Sequence, residues 1–251
     1  MKVYFIGAGP GDPELMTIKG KKIIEKADII IYAGSLVNHK ITDWAKDGTE
    51  IYNSAYLNLE EIKEIMQKGI NEDKIVARIH TGDPSIYGAI QEQMDWLDEK
   101  TIDYELVPGV SSLFASAAVL KRELTLPGIT QTVILTRKEG RTSVPDEESL
   151  TKLAKHQTTM AIFLSISMIE QVVEELIQGG YQNKTPVAVV YKVSWPEEKI
   201  IYGDLSNIAS RVKECNIDKT ALIMVGDFIN GKYENSRLYD KNFSHGYRHK
   251  V

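Results

Sequence analysis

KVYFIGAGPGDPELMTIKG, residues 2–20, decides the fold class. Val3, Tyr4, Phe5 and Ile6 make a short apolar run ending on Gly7 and Gly9, and a helical pattern resumes near Ile18. Strand, glycine turn and helix in that order open a parallel α/β sheet. The turn also invites a phosphate reading. A dinucleotide fingerprint, G-x-G-x-x-G, uses three glycines to bring backbone and a helix N-terminus to a pyrophosphate. Gly7 and Gly9 fit it, but Asp12 stands where the third glycine belongs. A carboxylate there suits a helix start, yet repels pyrophosphate. A nicotinamide-dependent oxidoreductase would also need an acidic residue about 20 residues on for the ribose; Asp28 is available, but Asp12 and Pro10 count against it.

Working outward, the rhythm continues. DIIIYA (28–33), TEIYNS (49–54), KIVARIH (74–80) and DYELVPG (103–109) read as strands, separated by helical patterns near Leu59 to Gly69 and Ser85 to Glu99. Such alternation predicts a parallel sheet covered on both faces. PGVSSLFASAAVLKREL (108–124) reads as a turn and a small-residue helix, and LPGITQ (126–131) as the linker. Beyond it, QTVILTR (131–137), TTMAIFLS (158–165) and TPVAVVYKVS (185–194) are strands, but KIIYGDLS (199–206) follows the last after only WPEE. Four residues cannot hold a helical crossover, so this pair must be an antiparallel hairpin in a mixed sheet. The expected organisation is two α/β domains, residues 1–125 with a mostly parallel sheet and 126–230 with a mixed sheet, then an extended tail, 231–251.

Composition narrows the class of partner. With 43% hydrophobic residues in 251, the chain can bury a core in each half. A net charge of -5 disfavours nucleic acid, whose binding requires surplus Lys and Arg. The single cysteine, Cys215, excludes an internal disulfide framework and fits a reducing cytoplasm. No apolar run approaches the ~20 residues of a membrane span, and MKVYFIGAG is too short for a secretion signal. His39, His80, His156, His245 and His249 show no metal-ligand spacing, so no metal site is expected. G-x-S-x-G and a Walker lysine are also absent, which removes hydrolytic triads and P-loop ATPases.

The triplet GDP occurs twice, at 11–13 and 82–84, each time after a strand. Each copy offers Asp as a helix cap with Pro at the first helical position. Capping alone explains both. Their place at strand carboxyl ends, with PGVSS (108–112) as a third such turn, equally outlines a ligand pocket. Tyr87, expected on the first helical turn with Asp83, is either packing or a ring for an adenine or a sulfonium. Arg137, Lys138 and Arg141 in TRKEGRT are either a solvated loop or a grip for substrate carboxylates. Tyr191 and Trp195 in VYKVSWP read as packing residues.

GAGPGDPELMTIKG, HTGDPSIYGA, VPGVSS and VYKVSWPEEKI, in this order over Val3 to about Asp227, resemble the tetrapyrrole methylase family. Within it, GDPSIYGAIQEQM and TQTVILTRKEGRTSVP are similar to the branch that methylates C-11 of precorrin-4 or its cobalt complex; Thr81 points away from the uroporphyrinogen-III branch. The family also contains diphthine synthases, from which the TRKEGRT loop sets this chain apart. The resemblance implies a homodimer of two α/β domains with S-adenosylmethionine in the cleft between them. It places Pro10, Thr81, Gly82, Asp83, Ile86, Tyr87, Ser111 and Ser112 at the cofactor, with Phe163, Leu164, Ser165, Tyr191 and Ala221 from the second domain. The GAGPGD loop is then expected to line a tetrapyrrole trough, where Asp12 repels nothing. Asp12, His80, Arg137, Lys138 and Arg141 are the candidate substrate contacts. The reaction implied is methyl transfer from a sulfonium to a ring carbon that supplies its own electrons, so no side chain is assigned as catalytic.

Overall fold

The computed structural model describes residues 2–248. Contacts divide the chain into two compact units. The first holds residues 1–116 and 192–198, the second 117–191 and 199–251. The division falls inside a helix, so LPGITQ lies within the second unit, where Leu126 is buried and the Pro127 carbonyl accepts from Glu234 N (2.9 Å). The tip of the expected hairpin, Lys192–Glu198, packs with the first unit.

The first unit contains β1 (Val3–Gly7), α1 (Ile18–Ile24), β2 (Ile29–Tyr32), β3 (Glu50–Asn53), α2 (Leu59–Asn71), β4 (Val76–His80), α3 (Gln91–Glu99), β5 (Tyr104–Val107) and the start of α4 (Ser112–Leu120). Its sheet has the order β3-β2-β4-β1-β5 and is parallel throughout. Every residue of β4 is buried, and β2 is buried through Ile29, Ile30 and Ile31. Strands covered on both faces bury both alternations, which is why these segments read as unbroken apolar runs. One face packs Ile24, Val37 and Ile41 against Ile6, Ile30 and Ile79. The other packs Ile62, Met66 and Leu97 against Val3, Phe5, Ile29 and Ile31. Asn58 and Glu61 start α2 with a reciprocal capping box, Glu61 N to Asn58 Oδ1 at 3.0 Å and Asn58 N to Glu61 Oε2 at 2.8 Å.

One helix begins later than the sequence implies. The segment after Asp83 is not helical; α3 starts only at Gln91. Tyr87 (φ 56°) and Ala89 (φ 49°) adopt left-handed backbone, which breaks the helical ladder, so Tyr87 lies on a compact turn and not on a first helical turn with Asp83. The first GDP copy does cap a helix, a 3-10 turn at Pro13–Leu15 with Asp12 as its N-cap.

The second unit contains β6 (Val133–Arg137), α5 (Leu150–Ala154), β7 (Thr159–Phe163), α6 (Ile169–Gln178), β8 (Pro186–Tyr191), β9 (Lys199–Asp204), α7 (Ile208–Glu214) and β10 (Ala221–Val225). The sheet order is β6-β7-β10-β8-β9; β6 and β7 are parallel and the other pairs antiparallel, including the β8–β9 hairpin. Ile169, Val172 and Leu176 of α6 and Ile208 and Val212 of α7, at helical spacing, bury against Met160, Ile162, Val187, Val189 and Ile223. The described part of the tail is mostly exposed, with a 3-10 turn at Arg237–Tyr239 and an isolated bridge between His245 and Arg248. His249 lies outside the described residues.

Candidate functional site

In the parallel sheet the connection from β1 runs toward β2 on one side, while that from β4 crosses to β5 on the other. Turns leaving a sheet in opposite directions open a crevice at the strand carboxyl ends. Here three turns meet backbone to backbone. Gly9 and Gly82 form an antiparallel bridge, with Gly82 N donating to Gly9 O at 2.8 Å. A methyl group on Gly109 would lie 2.1 Å from Gly82 O, and one on Gly7 would lie 2.6 Å from both Gly82 O and the Gly109 Cα. Only glycine allows this contact.

Asp83 locks the arrangement. Its Oδ1 accepts from Ser85 N (2.9 Å) and from the Ser85 hydroxyl, and its Oδ2 accepts from Gly109 N (2.9 Å). Burial works against its charge, but these bonds outweigh it and hold the carboxyl below the ordinary aspartate range. Thr81, Ile86 and Tyr87 flank it in sequence, with Tyr87 44% exposed. Ser111 is buried, its Oγ accepting from Leu113 N (3.3 Å), and Ser112 begins α4. His80, expected as a substrate contact, is only 4% exposed. Burial, helped by the Arg78 charge, pushes it down to about 3, so it is neutral at physiological pH. Its Nε2 has no hydrogen-bond partner among the described residues.

The first loop is closed by Trp195, read from sequence as packing, and by Ser194 and Asn38, which the sequence did not single out. Trp195 Nε1 donates to Pro10 O (3.0 Å), Asp12 N donates to Ser194 Oγ (2.9 Å), and Asn38 Nδ2 donates to Gly11 O (3.0 Å). A methyl group on Gly11 would fall 2.1 Å from the indole, so the ring packs directly against that glycine. Pro10 is buried beneath it, while Asp12 is half-buried and uses Oδ1 to cap Glu14 N (2.9 Å). An aromatic residue at a hairpin tip and a glycine run are each visible in the sequence; that they meet is not.

In the second unit, Arg137 pairs with Phe163 and Tyr191 with Ala221, so the carboxyl ends of β6, β7 and β8 share an edge with the start of β10. Leu164 follows with φ 53° and is 63% exposed. Ser165 is fully buried; its Oγ accepts from Lys138 N (2.9 Å) and donates to Phe163 O (2.6 Å), fixing the end of β7. In the basic loop, two of the three candidate cations already have partners. Arg137 donates to Thr142 O (3.1 Å) and Ser143 O (2.6 Å), and Lys138, 12% exposed, pairs with Glu175. Arg141 alone of the three is exposed without a hydrogen bond or ion pair among the described residues. No group of three or more His, Cys, Asp or Glu side chains is arranged for a metal among the described residues.

The comparisons with known proteins agree with this geometry. Residues 2–209 match the family model of the tetrapyrrole (corrin/porphyrin) methylases. The chain is 63% identical over 248 residues to a cobalt-precorrin-4 C(11)-methyltransferase of Methanocaldococcus jannaschii, covering 98% of this chain and 96% of that one. A solved cobalt-precorrin-4 methyltransferase superposes with a TM-score of 0.89 at 48% identity, over 91% of this chain and 96% of the other. A uroporphyrin-III C-methyltransferase of Thermus thermophilus, in complex with S-adenosylhomocysteine, gives 0.77 at 26% identity over 92% and 94%. The glycine-packed turns, the parallel and mixed sheets and the match over most of the chain place it in the tetrapyrrole (corrin/porphyrin) methylase family.

Proposed function

We infer that the chain transfers a methyl group from S-adenosylmethionine to C-11 of cobalt-precorrin-4 or precorrin-4 in cobalamin biosynthesis. The observation that carries this reading is the 63% identity, over nearly both whole lengths, to a cobalt-precorrin-4 C(11)-methyltransferase. The donor fits the residues present: neither Gly7 nor Gly109 has room for a side chain, while the space beside Gly82 is open, a Cβ there meeting only Ser111 Cα and Ser112 N, at 3.8 and 3.9 Å. We assign Pro10, Thr81, Gly82, Asp83, Ile86, Tyr87, Ser111 and Ser112 of the first unit to donor binding. In the second unit the assigned residues are Phe163, Leu164, Tyr191 and Ala221, with Ser165 shaping the strand end behind them.

When bound, S-adenosylmethionine supplies an electrophilic methyl on a sulfonium. The reduced macrocycle supplies the carbon nucleophile, so the task of the side chains is to hold and to exclude water. Alignment of this kind contributes on the order of 7–11 kcal/mol in favourable cases. Asp83 fixes the donor loop through Ser85 and Gly109. Arg141 is our candidate for a substrate carboxylate, and Arg137 and Lys138 shape the loop that presents it. The GAGPGD loop, with Asp12, is our candidate for the macrocycle face.

A nicotinamide reading lacks its ribose partner. Asp28 precedes β2, at the amino edge of the sheet, and accepts from Ile75 N (2.8 Å) and Lys46 Nζ (2.6 Å). None of the helices among the described residues is long and apolar enough to cross a membrane. With one exposed free thiol at Cys215, a cytoplasmic setting is our reading; a homodimer is the expected assembly, which sedimentation would test. Incubation with labelled donor and either precorrin-4 or its cobalt complex, followed by NMR location of the new methyl, tests the activity: label at a carbon other than C-11 overturns the position, and no transfer overturns the function.

A further inference from the structure

Arg78 is 5% exposed in the middle of β4, and no carboxylate partners it among the described residues. Burial lowers its pKa only to about 10, so it stays cationic. A buried guanidinium without a counter-ion is costly, and an apolar residue would pack there at less expense. Its bonds show what it holds. Nη1 faces Ile31 O (3.3 Å) and Ile79 O (3.5 Å), and Nε donates to Gln93 Oε1 (3.3 Å). Gln93, 3% exposed on the first turn of α3, donates through Nε2 to Ala89 O (2.8 Å). A guanidinium can only donate. It therefore demands the oxygen of the Gln93 amide and turns the NH2 toward Ala89. Ala89 itself sits at φ 49°, a conformation that a residue with a Cβ adopts at a cost, next to Gly88 and to Tyr87 at φ 56°.

We propose that Arg78 and Gln93 are positioning residues for the donor-binding turn: the guanidinium orients the Gln93 amide, and the amide holds the Tyr87–Gly88–Ala89 segment, left-handed at Tyr87 and Ala89, in the shape that presents Tyr87. The turn is thus fixed from both ends, by Asp83 on Gly109 and by Gln93 on Ala89. This rests on the assignment of that turn to the donor.

Gln93→Glu separates positioning from plain stability. A glutamate gains an ion pair with Arg78 but cannot donate to Ala89 O. Gln93→Met removes both bonds. Calorimetry with S-adenosylhomocysteine and thermal melting are measured on wild type and both variants. Gln93→Glu is expected to melt near wild type while its affinity falls about tenfold, the equivalent of one lost hydrogen bond at the upper end of its usual worth. A folded variant that binds within about twofold of wild type, below what one such bond contributes, overturns the proposal. Wild type that fails to bind S-adenosylhomocysteine at all would instead refute the donor reading itself.

Discussion

Trp195 donates its indole N–H to the carbonyl of Pro10 at 3.0 Å, across 185 residues of sequence. The hairpin tip between β8 and β9 thereby belongs to the glycine loop after β1, and Gly11 is a glycine because the ring occupies the place of its side chain. Gly11→Ala must push the indole away. We expect a destabilisation of about 1–3 kcal/mol from overpacking, read as a lower Tm, with a larger fall in kcat/KM for the tetrapyrrole than in affinity for S-adenosylhomocysteine. Trp195→Phe keeps most of the ring but leaves the buried Pro10 carbonyl unpaired, costing about 1–3 kcal/mol. Unchanged melting of both variants would show that the contact does not shape the loop.

Asp83 supplies the second test. A carboxylate serves three donors, Ser85 N, the Ser85 hydroxyl and Gly109 N, on two oxygens. Asparagine has one oxygen, so Asp83→Asn turns an NH2 toward a donor. A loss of about 1–3 kcal/mol in stability and a larger Kd for S-adenosylhomocysteine by calorimetry are expected. The variant should also resist acid differently. The folded carboxyl of Asp83 lies below its ordinary value, so its contribution is complete above the unfolded pKa and is lost as pH falls through the folded one. The gap in Tm between wild type and Asp83→Asn should therefore narrow toward low pH.

Glu50 gives a pH prediction remote from the site. On edge strand β3 it accepts from Lys74 (2.7 Å), the Tyr52 hydroxyl (2.7 Å) and Lys68 (2.9 Å). The Lys74 bond, then those of Tyr52 and Lys68, hold it down to about 2. Since the folded value is depressed, its stabilisation is intact above the unfolded value of about 4.3 and disappears as pH falls toward about 2. Partial exposure screens these pairs, so Glu50→Gln should lower Tm modestly at neutral pH and not at all near the lower limit. Equal loss at both ends of that window would show that charge is not the cause.

Particular residues show where sequence was enough. Ile29, Ile30 and Ile31 could be read as a doubly covered parallel strand because both alternations are apolar, and WPEE forced the β8–β9 hairpin because it is too short to cross over. The helix expected from Ser85 failed because the residues that break it, Tyr87 and Ala89, carry no glycine or proline signal at left-handed positions. The meeting of Gly7, Gly82 and Gly109 was equally out of reach, since each glycine looks locally like an ordinary turn and only the strand order β4-β1-β5 brings them together. The basic loop misled for a related reason: charge is visible in sequence, but the carbonyls of Thr142 and Ser143 that occupy Arg137 are not.

That distinction within the basic loop yields the last prediction. Arg137 and Lys138 are committed, the first to the backbone of its own loop and the second to Glu175, while Arg141 is exposed without a partner among the described residues. If Arg141 meets a substrate carboxylate, Arg141→Ala should leave Tm and S-adenosylhomocysteine affinity unchanged and raise KM for the tetrapyrrole. One charge-assisted bond of about 1.5–3 kcal/mol corresponds to roughly 10- to 150-fold. Arg137→Ala should behave oppositely: it frees two carbonyls and loosens the loop, so Tm falls and kcat and KM both change. Arg141→Lys keeps the charge but not the planar fork, and should fall between wild type and alanine. Steady-state kinetics and melting curves on the three variants decide it; a KM unaffected by Arg141→Ala would return this arginine to the role of a solvated surface charge.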